Sequence, residues 1–384
     1  MNFDLSEDQK LLVETVASFV KQKSPVSRMR GLRSDPVGYS PQVWRQMGQF
    51  GWLGAAFPEA VGGAGGGLVD AALILEQLGT TLVPEPVLPA LVAGWALLRA
   101  GSAPQHRRFL APMLAGESLL ALAYAEPQSR HDLHDVETRA ERRSGSYRLR
   151  GAKRFVLAGH AARAFVVSAR SGGAPRARDG VSLFIVDRDT PGVGVQAVAT
   201  MDGRRAAMLT LDCEVGADAL LGQEGDGADA LEEAVDVGAT GACAEGVGIT
   251  QTVLQMTLDY LRTREQFGVK IGTFQALQHR AVDMFVETEL CKSTAIMASI
   301  KVSDHDPVQR QSAVSAAKVQ LAVGGRLVTQ QAIQLHGGIG ITDEHDVGLY
   351  FKRMHILNSL YGDEEHHLAR FAALPSFLDG VPAP

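Results

Sequence analysis

The sequence predicts a mostly α-helical protein with a central β-domain, because the chain shows helical, then strand-like, then helical patterning. Residues 1–116 are rich in Ala and Leu, with apolar residues at helical spacing. Residues 117–225 change to short β-branched or alternating runs punctuated by Gly, Asp and Pro, and residues 226–384 return to long helical patterns. We therefore expect an N-terminal helical domain, a middle β-barrel-like domain and a C-terminal four-helix bundle.

The N-terminal domain is expected to begin with a capped helix. Ser6 followed by Gln9 predicts a capping box, and leucines and valines then recur at helical spacing. Segments near 41–50, 68–80 and 90–100 also favour helices, and runs of Gly and Pro separate them. The sequence thus predicts several helices before residue 116.

The middle domain carries two clear strand-like runs, 163–168 and 181–186, followed by a turn at 189–192. An Arg-rich stretch from Arg139 to Arg154 predicts a β-hairpin. Its charges fit either a solvated strand face or contacts with substrate phosphates, and both interpretations stay open.

The C-terminal region predicts an antiparallel bundle of long helices at about 226–262, 273–304, 308–336 and 343–372. Gly337 and Gly338 mark the end of the third helix, since glycine accepts the left-handed conformation that closes a helix. His366 and His367 are expected to be bundle-end or interface residues, because no third residue is spaced to complete a metal site with them.

Composition and charge exclude several classes of function. The net charge of −6 and the pI near 6.0 make nucleic acid an unexpected partner. No apolar run reaches the ~18 residues of a membrane helix, and the N-terminus lacks the features of a signal peptide, so we expect a cytoplasmic protein without a membrane span. The absence of a GxGxxG motif after a strand and of a P-loop disfavours a Rossmann or nucleotide-triphosphate fold.

The three cysteines, Cys213, Cys243 and Cys291, lie far apart in the sequence. They show no metal-ligand spacing and cannot all pair within one chain. We expect small buried hydrophobic residues in a reducing compartment, and no metal site.

Two motifs in the bundle indicate a function. Residues 260–268 read Tyr-Leu-Arg-Thr-Arg-Glu-Gln-Phe-Gly with Ile-Gly-Thr-Phe-Gln at 271–275, and residues 334–340 read Gln-Leu-His-Gly-Gly-Ile-Gly. An arginine is geometrically suited to a pyrophosphate, while Gln side chains and Gly amides supply neutral donors. Taken singly, the arginine fits a surface ion pair and the glycines a helix stop. Together, in this order and spacing, they favour binding of an ADP group.

These motifs and the order of the domains resemble the acyl-CoA dehydrogenase family over essentially the whole chain. In that family this part of one subunit holds the ADP half of an FAD whose flavin ring sits in the neighbouring subunit. The resemblance implies FAD as cofactor, an acyl-CoA as substrate and α,β-desaturation of its thioester as the reaction. By position it assigns the ADP half to Arg264, Phe267, Phe274, Gln275, Gln334, Gly337 and Gly338.

The flavin-half motifs depart from the family. Its Thr-Glu-Pro-x-Ala-Gly-Ser-Asp loop corresponds to residues 125–132, where Ala125 replaces the Thr and Arg130 replaces the Gly. This removes a hydroxyl donor and crowds the backbone. The last residue of the family's Trp-Ile-Thr segment corresponds to Leu157, whose side chain has no polar hydrogen to offer.

The catalytic base is also missing from both places where the family carries it. Desaturation requires a carboxylate that takes the α-proton while the β-hydride passes to the flavin. The two family positions correspond here to Gly362 and Gly238. Glu245, two helical turns after Gly238, and Asp363, next to Gly362, are the candidate substitutes. A structural hydrogen-bonding role for Glu245 and a solvated loop acid at Asp363 are the alternatives.

One hypothesis explains both the retained and the lost motifs. The segments 283–286 and 351–368 are similar to the small subunit of bacterial pimeloyl-CoA-type dehydrogenases, which work with a large subunit. The resemblance implies a degenerate subunit of an α2β2 complex that completes the FAD site of a paralogous catalytic subunit. It also implies an electron-transferring flavoprotein as electron acceptor.

Two alternatives compete with this heteromer. The chain could be a self-sufficient homo-oligomeric dehydrogenase with Glu245 or Asp363 as an unconventional base. It could also be a non-redox acyl-CoA-binding or scaffold protein, although the retained Arg264, Gln275 and Gln334 disfavour that interpretation.

Overall fold

The computed structural model describes residues 4–375. Helices precede and follow a central sheet, which confirms the predicted fold class. Contacts group the described residues into two compact units: residues 4–30, 68–83 and 239–375 form the first, and residues 31–67 and 84–238 the second. The three-domain division with boundaries after residues 116 and 225 stays a prediction.

The helices of the described residues are numbered in chain order. They are α1 (Glu7–Lys23), α2 (Val26–Leu32), α3 (Pro41–Gln49), α4 (Leu68–Gly79), α5 (Val87–Ala100), α6 (Ala103–Gln105), α7 (Ala111–Leu114), α8 (Ala228–Thr263), α9 (Gln275–Lys301), α10 (Pro307–Gln320), α11 (Arg326–His336), α12 (Val347–Ser359) and α13 (Glu364–Ala372).

Local signals in the sequence correctly predict several helix ends. Ser6 and Gln9 form the expected capping box, with the Gln9 N–H donating to Ser6 Oγ at 3.2 Å. Gly337 ends α11 with φ 64°, a conformation that glycine adopts without steric cost.

Two of the long predicted helices are interrupted. The predicted helix 308–336 contains a π turn over Leu321–Gly325, which separates α10 from α11. The predicted helix 343–372 divides into α12 and α13, because Tyr361 and Gly362 both have positive φ, 58° and 112°. A helix cannot continue through two such residues.

The second unit contains an eight-stranded mixed sheet. Its order is β6-β7-β3-β2-β4-β5-β8, and β1 pairs parallel to β4. The strands are β1 (Leu120–Ala123), β2 (Arg139–Arg143), β3 (Ser146–Leu157), β4 (Ala164–Arg170), β5 (Val181–Asp187), β6 (Val193–Ala199), β7 (Arg205–Gly216) and β8 (Leu220–Leu221).

The sheet confirms the predicted hairpin, because β2 and β3 pair antiparallel through the Arg-rich stretch. Side chains that alternate along its strands form a buried core around Phe165, Phe184 and Leu209. The sheet therefore has a well-packed apolar side, and its strands β4 and β5 are buried on both sides.

The first unit is a helical bundle in which α9 packs against α4, α10 and α11, while α10 also packs against α13 and α11 against α12. Close approach of α4 and α8 depends on glycine. A Cβ at Gly248 would lie 1.9 Å from the Glu76 carbonyl oxygen. The small residues that the sequence places along α8 therefore serve close helix packing.

None of the helices described between residues 4 and 375 is long and apolar enough to span a membrane.

Candidate functional site

The two ADP-half motifs meet where α8 and α11 end. The Tyr260 ring, in the last turn of α8, stacks on the His336 ring at the end of α11 with a centroid distance of 4.6 Å. The His345 ring also lies next to the His336 ring, with a centroid distance of 4.5 Å. Arg264 follows Tyr260 by one turn, and Gly337 follows His336 directly, so the fold brings both motifs to one end of the bundle.

A short hairpin carries the aromatic part of the first motif. Strands β9 (Glu265–Gln266) and β10 (Val269–Lys270) pair antiparallel, and Phe267 and Gly268 form the turn with φ 55° and 79°. Positive φ at both central positions is the geometry of a type I′ turn. Phe267 is 91% exposed and contacts Phe274 edge to face at 6.2 Å.

The polar residues of the ADP-half motifs are available for binding. Arg264, Gln275 and Gln334 are all exposed. The Arg264 guanidinium forms no ion pair or side-chain hydrogen bond within residues 4–375, so the surface ion pair considered from the sequence is not observed there. An exposed, unpaired guanidinium at this position can bind a phosphate by donating to its oxygens.

The glycine turn is open in the way that a bound dinucleotide requires. A Cβ built on Gly337 or Gly338 would meet no atom within 4 Å. The neighbouring His336 is buried, its Nδ1–H donates to the Ala332 carbonyl oxygen at 2.7 Å, and its Nε2 has no partner. The open backbone at Gly337 and Gly338 leaves room for a ligand. The unpartnered His336 Nε2 fits a ligand that carries hydroxyl or amine donors.

The loop that corresponds to the family's flavin-half motif is organised by a buried ion pair. Lys153 Nζ lies 2.7 Å from Glu126 Oε1, and the Glu126 carboxylate also accepts the N–H groups of Glu137 and Thr138. Burial would raise the pKa of Glu126, but Lys153 and side-chain hydrogen bonds, including that from Gln128, lower it to about 2. Burial lowers the pKa of Lys153 to about 8 against the opposing effect of Glu126. Both groups are therefore charged at neutral pH.

The same loop keeps a backbone shape that suits glycine. Arg130, which takes the place of the family's Gly, has φ 46° and an exposed side chain. A bulky residue in the left-handed region is strained. Arg130 therefore has a backbone conformation that glycine would adopt at lower cost. Phe155 likewise has φ 47° and is exposed, and Leu157 at the end of β3 offers no hydrogen-bond donor.

Glu245, the first candidate base, lies in the interior of the bundle and is 3% exposed. Its two carboxylate oxygens accept from Arg353 in a bidentate pair, with Nε–Oε1 2.7 Å and Nη2–Oε2 2.6 Å. A carboxylate fixed to a buried guanidinium on both oxygens is a weak base. The geometry therefore favours the structural alternative for Glu245.

Asp363, the second candidate, caps α13: its Oδ1 accepts the N–H of His366 at 2.9 Å. It is half-buried rather than the solvated loop acid considered from the sequence. Gly238, one of the two vacant base positions, is buried within α8. None of these residues presents an open carboxylate.

The other vacant base position, Gly362, is closed to any side chain. A Cβ at Gly362 would lie 2.5 Å from His367 Nε2 and 2.7 Å from His366 Cδ2. His367 is buried; its Nε2–H donates to the Tyr361 carbonyl oxygen at 3.1 Å, and its Nδ1 accepts from Ser315 Oγ at 3.2 Å. The two histidines therefore fill the space that a side chain at position 362 would need.

A buried lysine anchors the same turn from the other side. Lys318 donates to the carbonyl oxygens of Leu357 (2.7 Å) and Leu360 (2.9 Å) at the end of α12. Burial lowers its pKa to about 8, although the Cys243 thiol and Asp363 oppose that shift. The turn between α12 and α13 is thus held by a cation that caps one helix and an acid that caps the next.

Acids pair with most of the Arg-rich hairpin. Arg148 and Arg150 share Asp212, and Arg142 contacts Glu224. This arrangement favours a solvated, internally paired strand face over a phosphate site. Lys153 differs, because it is fully buried instead of belonging to that face.

The remaining predictions about titratable groups concern metals and thiols. Among residues 4–375, no three His, Cys, Asp or Glu side chains form a group that could hold a metal ion. Cys213, Cys243 and Cys291 are free and buried, as expected of small hydrophobic residues.

Sequence reasoning missed the buried positions of Arg353, Lys318 and Lys153, the cations that fix the candidate site regions. Each is bonded to a residue far away in the chain, so no local spacing points to it. The signal that could have found Arg353 is a lone glutamate, Glu245, among small neutral residues on a buried helix, since such a charge requires a partner.

Family models match nearly the whole chain. The acyl-CoA dehydrogenase N-terminal domain matches residues 6–117, the middle domain 121–213 and the C-terminal domain 225–373. Acyl-CoA dehydrogenase IpdE2 of Mycolicibacterium smegmatis is 32% identical over 372 residues, which cover 96% of this chain and 99% of that protein.

The chain belongs to the acyl-CoA dehydrogenase family.

Solved structures of this family share the fold. Butyryl-CoA dehydrogenase from Megasphaera elsdenii superposes with a TM-score of 0.89 at 25% identity, covering 97% of this chain and 99% of that one. A chain of the ChsE4-ChsE5 complex from Mycobacterium tuberculosis superposes with a TM-score of 0.88 at 28% identity, covering 98% and 100%. The family is FAD-dependent, so the cofactor is FAD, and the open ADP-half residues fit it.

Proposed function

We propose that this chain is the cofactor-completing subunit of a heteromeric acyl-CoA dehydrogenase. It contributes the ADP half of the FAD site through Arg264, Gln275, Gln334 and the Gly337 turn. A paralogous large subunit supplies the carboxylate base and the flavin-ring contacts for α,β-desaturation of an acyl-CoA thioester. The assembly is an α2β2 complex with one FAD per pair of chains, and its electron acceptor is an electron-transferring flavoprotein.

The proposal is supported by the difference between the ADP-half residues and the base positions. The ADP-half residues are exposed and make few bonds within the chain, so a second chain has to cover them. The base positions lack a carboxylate, and the nearest acids, Glu245 and Asp363, are bonded to Arg353 and to the α13 backbone. A chain that can hold a nucleotide but carries no open carboxylate at these described positions needs a catalytic partner.

The solved relatives give this assembly a precedent. The structure that matches this chain with 28% identity is a complex of two differently named chains, ChsE4 and ChsE5. Another, matching at 30% identity with a TM-score of 0.86, is the structure of a variant of the Tcur3481-Tcur3483 steroid ACAD. Heteromers therefore occur among proteins of this fold that resemble this chain.

The experiment is to express this chain alone and together with the acyl-CoA dehydrogenase paralogue encoded nearest to it. Flavin absorbance per chain and mass in solution are then measured. We expect a colourless lone chain and one FAD per two chains in the complex. A yellow lone chain with one FAD per subunit and acyl-CoA oxidation would overturn the heteromer in favour of a self-sufficient enzyme. A complex without flavin would favour a non-redox acyl-CoA-binding protein.

A pair of arginines provides the matched variant and control. Arg264→Gln removes the proposed phosphate partner, so the flavin content of the complex should fall at least tenfold at limiting FAD. Arg262→Gln changes an equally exposed arginine two positions away that pairs with Asp259 instead. It should leave flavin content unchanged; equal losses in both variants would exclude a specific role for Arg264.

A further inference from the structure

The chain returns to the end of α11 nine residues after leaving it. His336 is the last residue of α11, and the His345 ring lies beside the His336 ring with a centroid distance of 4.5 Å. Val347 donates its N–H to His345 Nδ1 at 3.2 Å, which fixes the His345 ring at the start of α12. The segment 337–344, which contains the open glycine turn, is therefore a loop whose flanking residues are in contact.

This loop is tightly packed at one point and open at another. A Cβ at Gly340 would lie 2.6 Å from the Ile333 carbonyl oxygen and 3.1 Å from His336 Cβ, so the backbone there lies directly against α11. A Cβ at Gly337 or Gly338 would meet no atom within 4 Å. Because nothing packs against these two glycines, their position depends on what holds the rest of the loop.

Arg30, on α2, holds the far end of the loop. Its Nη2 lies 2.6 Å from Asp346 Oδ1. Its Nη1 lies 3.5 Å from Asp343 Oδ2 and also donates to the Asp343 carbonyl oxygen. These two acids lie on either side of His345 in the chain. A planar guanidinium with several fixed donors holds both of them in one geometry, and it thereby fixes the segment that carries His345.

The pairing with Arg30 explains why an acid stands at position 346. Asp346 directly precedes α12, but its carboxylate caps no backbone N–H among the described residues. The side chains of Arg30 and Asp346 are 26% and 38% exposed. Ion pairs with this much exposure contribute little to global stability. The contact is therefore suited to fixing a loop and not to holding the whole fold together.

We infer that Arg30 is a positioning residue for the cofactor. It acts through His345 and His336 on the Gly337 turn. The guanidinium holds the end of the loop, the His345 ring packs on His336, and the turn keeps the open backbone that receives the ADP half of FAD. The inference rests on the proposed function, and in it Arg30 acts through these residues and not as a ligand.

The first test is Arg30→Gln in the complex with the paralogue, with FAD affinity and melting temperature measured together. We expect FAD to bind about fivefold more weakly or worse, since coupling between separate sites starts at about this size, while the melting temperature changes little. Arg28→Gln is the matched control, because Arg28 is also a half-buried arginine on α2 and donates to Ser24 Oγ at 2.9 Å. It should leave FAD affinity unchanged.

A double-mutant cycle tests whether Arg30 and Asp346 act as one unit. Asp346→Asn should also weaken FAD binding. The double variant Arg30→Gln/Asp346→Asn should lose clearly less affinity than the two single losses multiplied together, because both substitutions break the same contact. Losses that multiply would show that the two residues act separately, and the inference would be wrong.

Hydrogen exchange detects the loop directly, in the full chain without cofactor. Arg30→Gln should speed amide exchange over residues 337–346 by about threefold or more, because the loop then opens more often. Exchange in α10 should stay the same, and Arg28→Gln should change neither segment. Unchanged exchange over 337–346 in Arg30→Gln would overturn the inference. Faster exchange throughout the chain would show a general structural role instead.

Two variants distinguish this inference from the proposed function. If Arg264→Gln weakens FAD binding and Arg30→Gln does not, Arg30 is not a positioning residue and the proposed function stands. If neither variant changes FAD affinity, the proposed function fails and this inference fails with it. Weaker binding in both, with Arg28→Gln unchanged, supports both.

Discussion

The ADP-half residues and the vacant base positions differ in how many contacts they make within the chain. Around Arg264, Phe267 and Gly337, side chains are exposed and backbone is open. Around Glu245 and Gly362, the Glu245 carboxylate is paired with Arg353, and a Cβ at Gly362 would meet two histidine rings. The first region carries the predicted binding residues on an open surface, whereas the second is held by contacts within the chain. Substitutions should therefore affect stability in one region and cofactor content in the other.

The largest expected effect is at Glu245. Glu245→Gln leaves Arg353 buried without its charge partner, which costs about 3–5 kcal/mol of unfolding free energy. Denaturant unfolding measures this loss, and a Glu245→Leu/Arg353→Met double variant should recover much of it. If Glu245→Gln instead keeps full stability and abolishes activity of the complex, Glu245 is a base and the comparison fails.

The next largest effect on stability is expected at Gly362. Gly362→Ala combines a φ of 112° with contacts of 2.5–2.8 Å to His366 and His367, so it should cost about 2–3 kcal/mol. Gly338→Ala enters open space and should change stability by less than about 0.5 kcal/mol. Thermal unfolding of the two variants compares the closed region with the open one directly, and similar melting temperatures would contradict the difference.

Acid should weaken the closed region through His367. Burial, with the charges of Lys318, His366 and Arg370, lowers the pKa of His367 to about 2, while the unfolded chain takes up this proton near pH 6.5. The unfolded state thus binds more protons below pH 6.5, so stability falls by about 1.4 kcal/mol per pH unit. His367→Gln should reduce this slope between pH 6.5 and 4.5 in denaturant unfolding.

The smallest effect on stability is expected at Phe267. Its side chain is 91% exposed at the tip of the β9–β10 hairpin, so Phe267→Ser should change unfolding free energy by less than about 0.5 kcal/mol. The flavin content of the complex should nevertheless fall, because the residue belongs to the ADP-half motif. A stability loss that exceeds the loss in flavin would show that Phe267 serves the fold of this chain instead.

Local patterns in the sequence predict much of the fold. The Ser6 cap, the Gly337 helix end and the β2–β3 hairpin depend on neighbouring residues, and all three are observed. The break between α12 and α13 was not predicted, and one of the contacts that holds it comes from far away in the sequence, because Lys318 of α10 donates to the carbonyl oxygens of Leu357 and Leu360. A signal carried by distant residues cannot be read from spacing.

The candidate site shows the same limit. The ADP-half residues were predicted from two compact motifs, and the fold brings their helix ends together through Tyr260 and His336. The pairing of the candidate base Glu245 could not be predicted, because its bond with Arg353 joins residues 108 positions apart. Resemblance identified which residues had changed, but only the packing shows what now occupies their place.

The left-handed turn at Gly362 limits which residues position 362 can carry. A glutamate there would place its Cβ against His366 and His367 and strain the backbone. A single substitution to glutamate should therefore destabilise the turn instead of adding a usable base. Redesign of a base at this position requires changes at the two histidines as well.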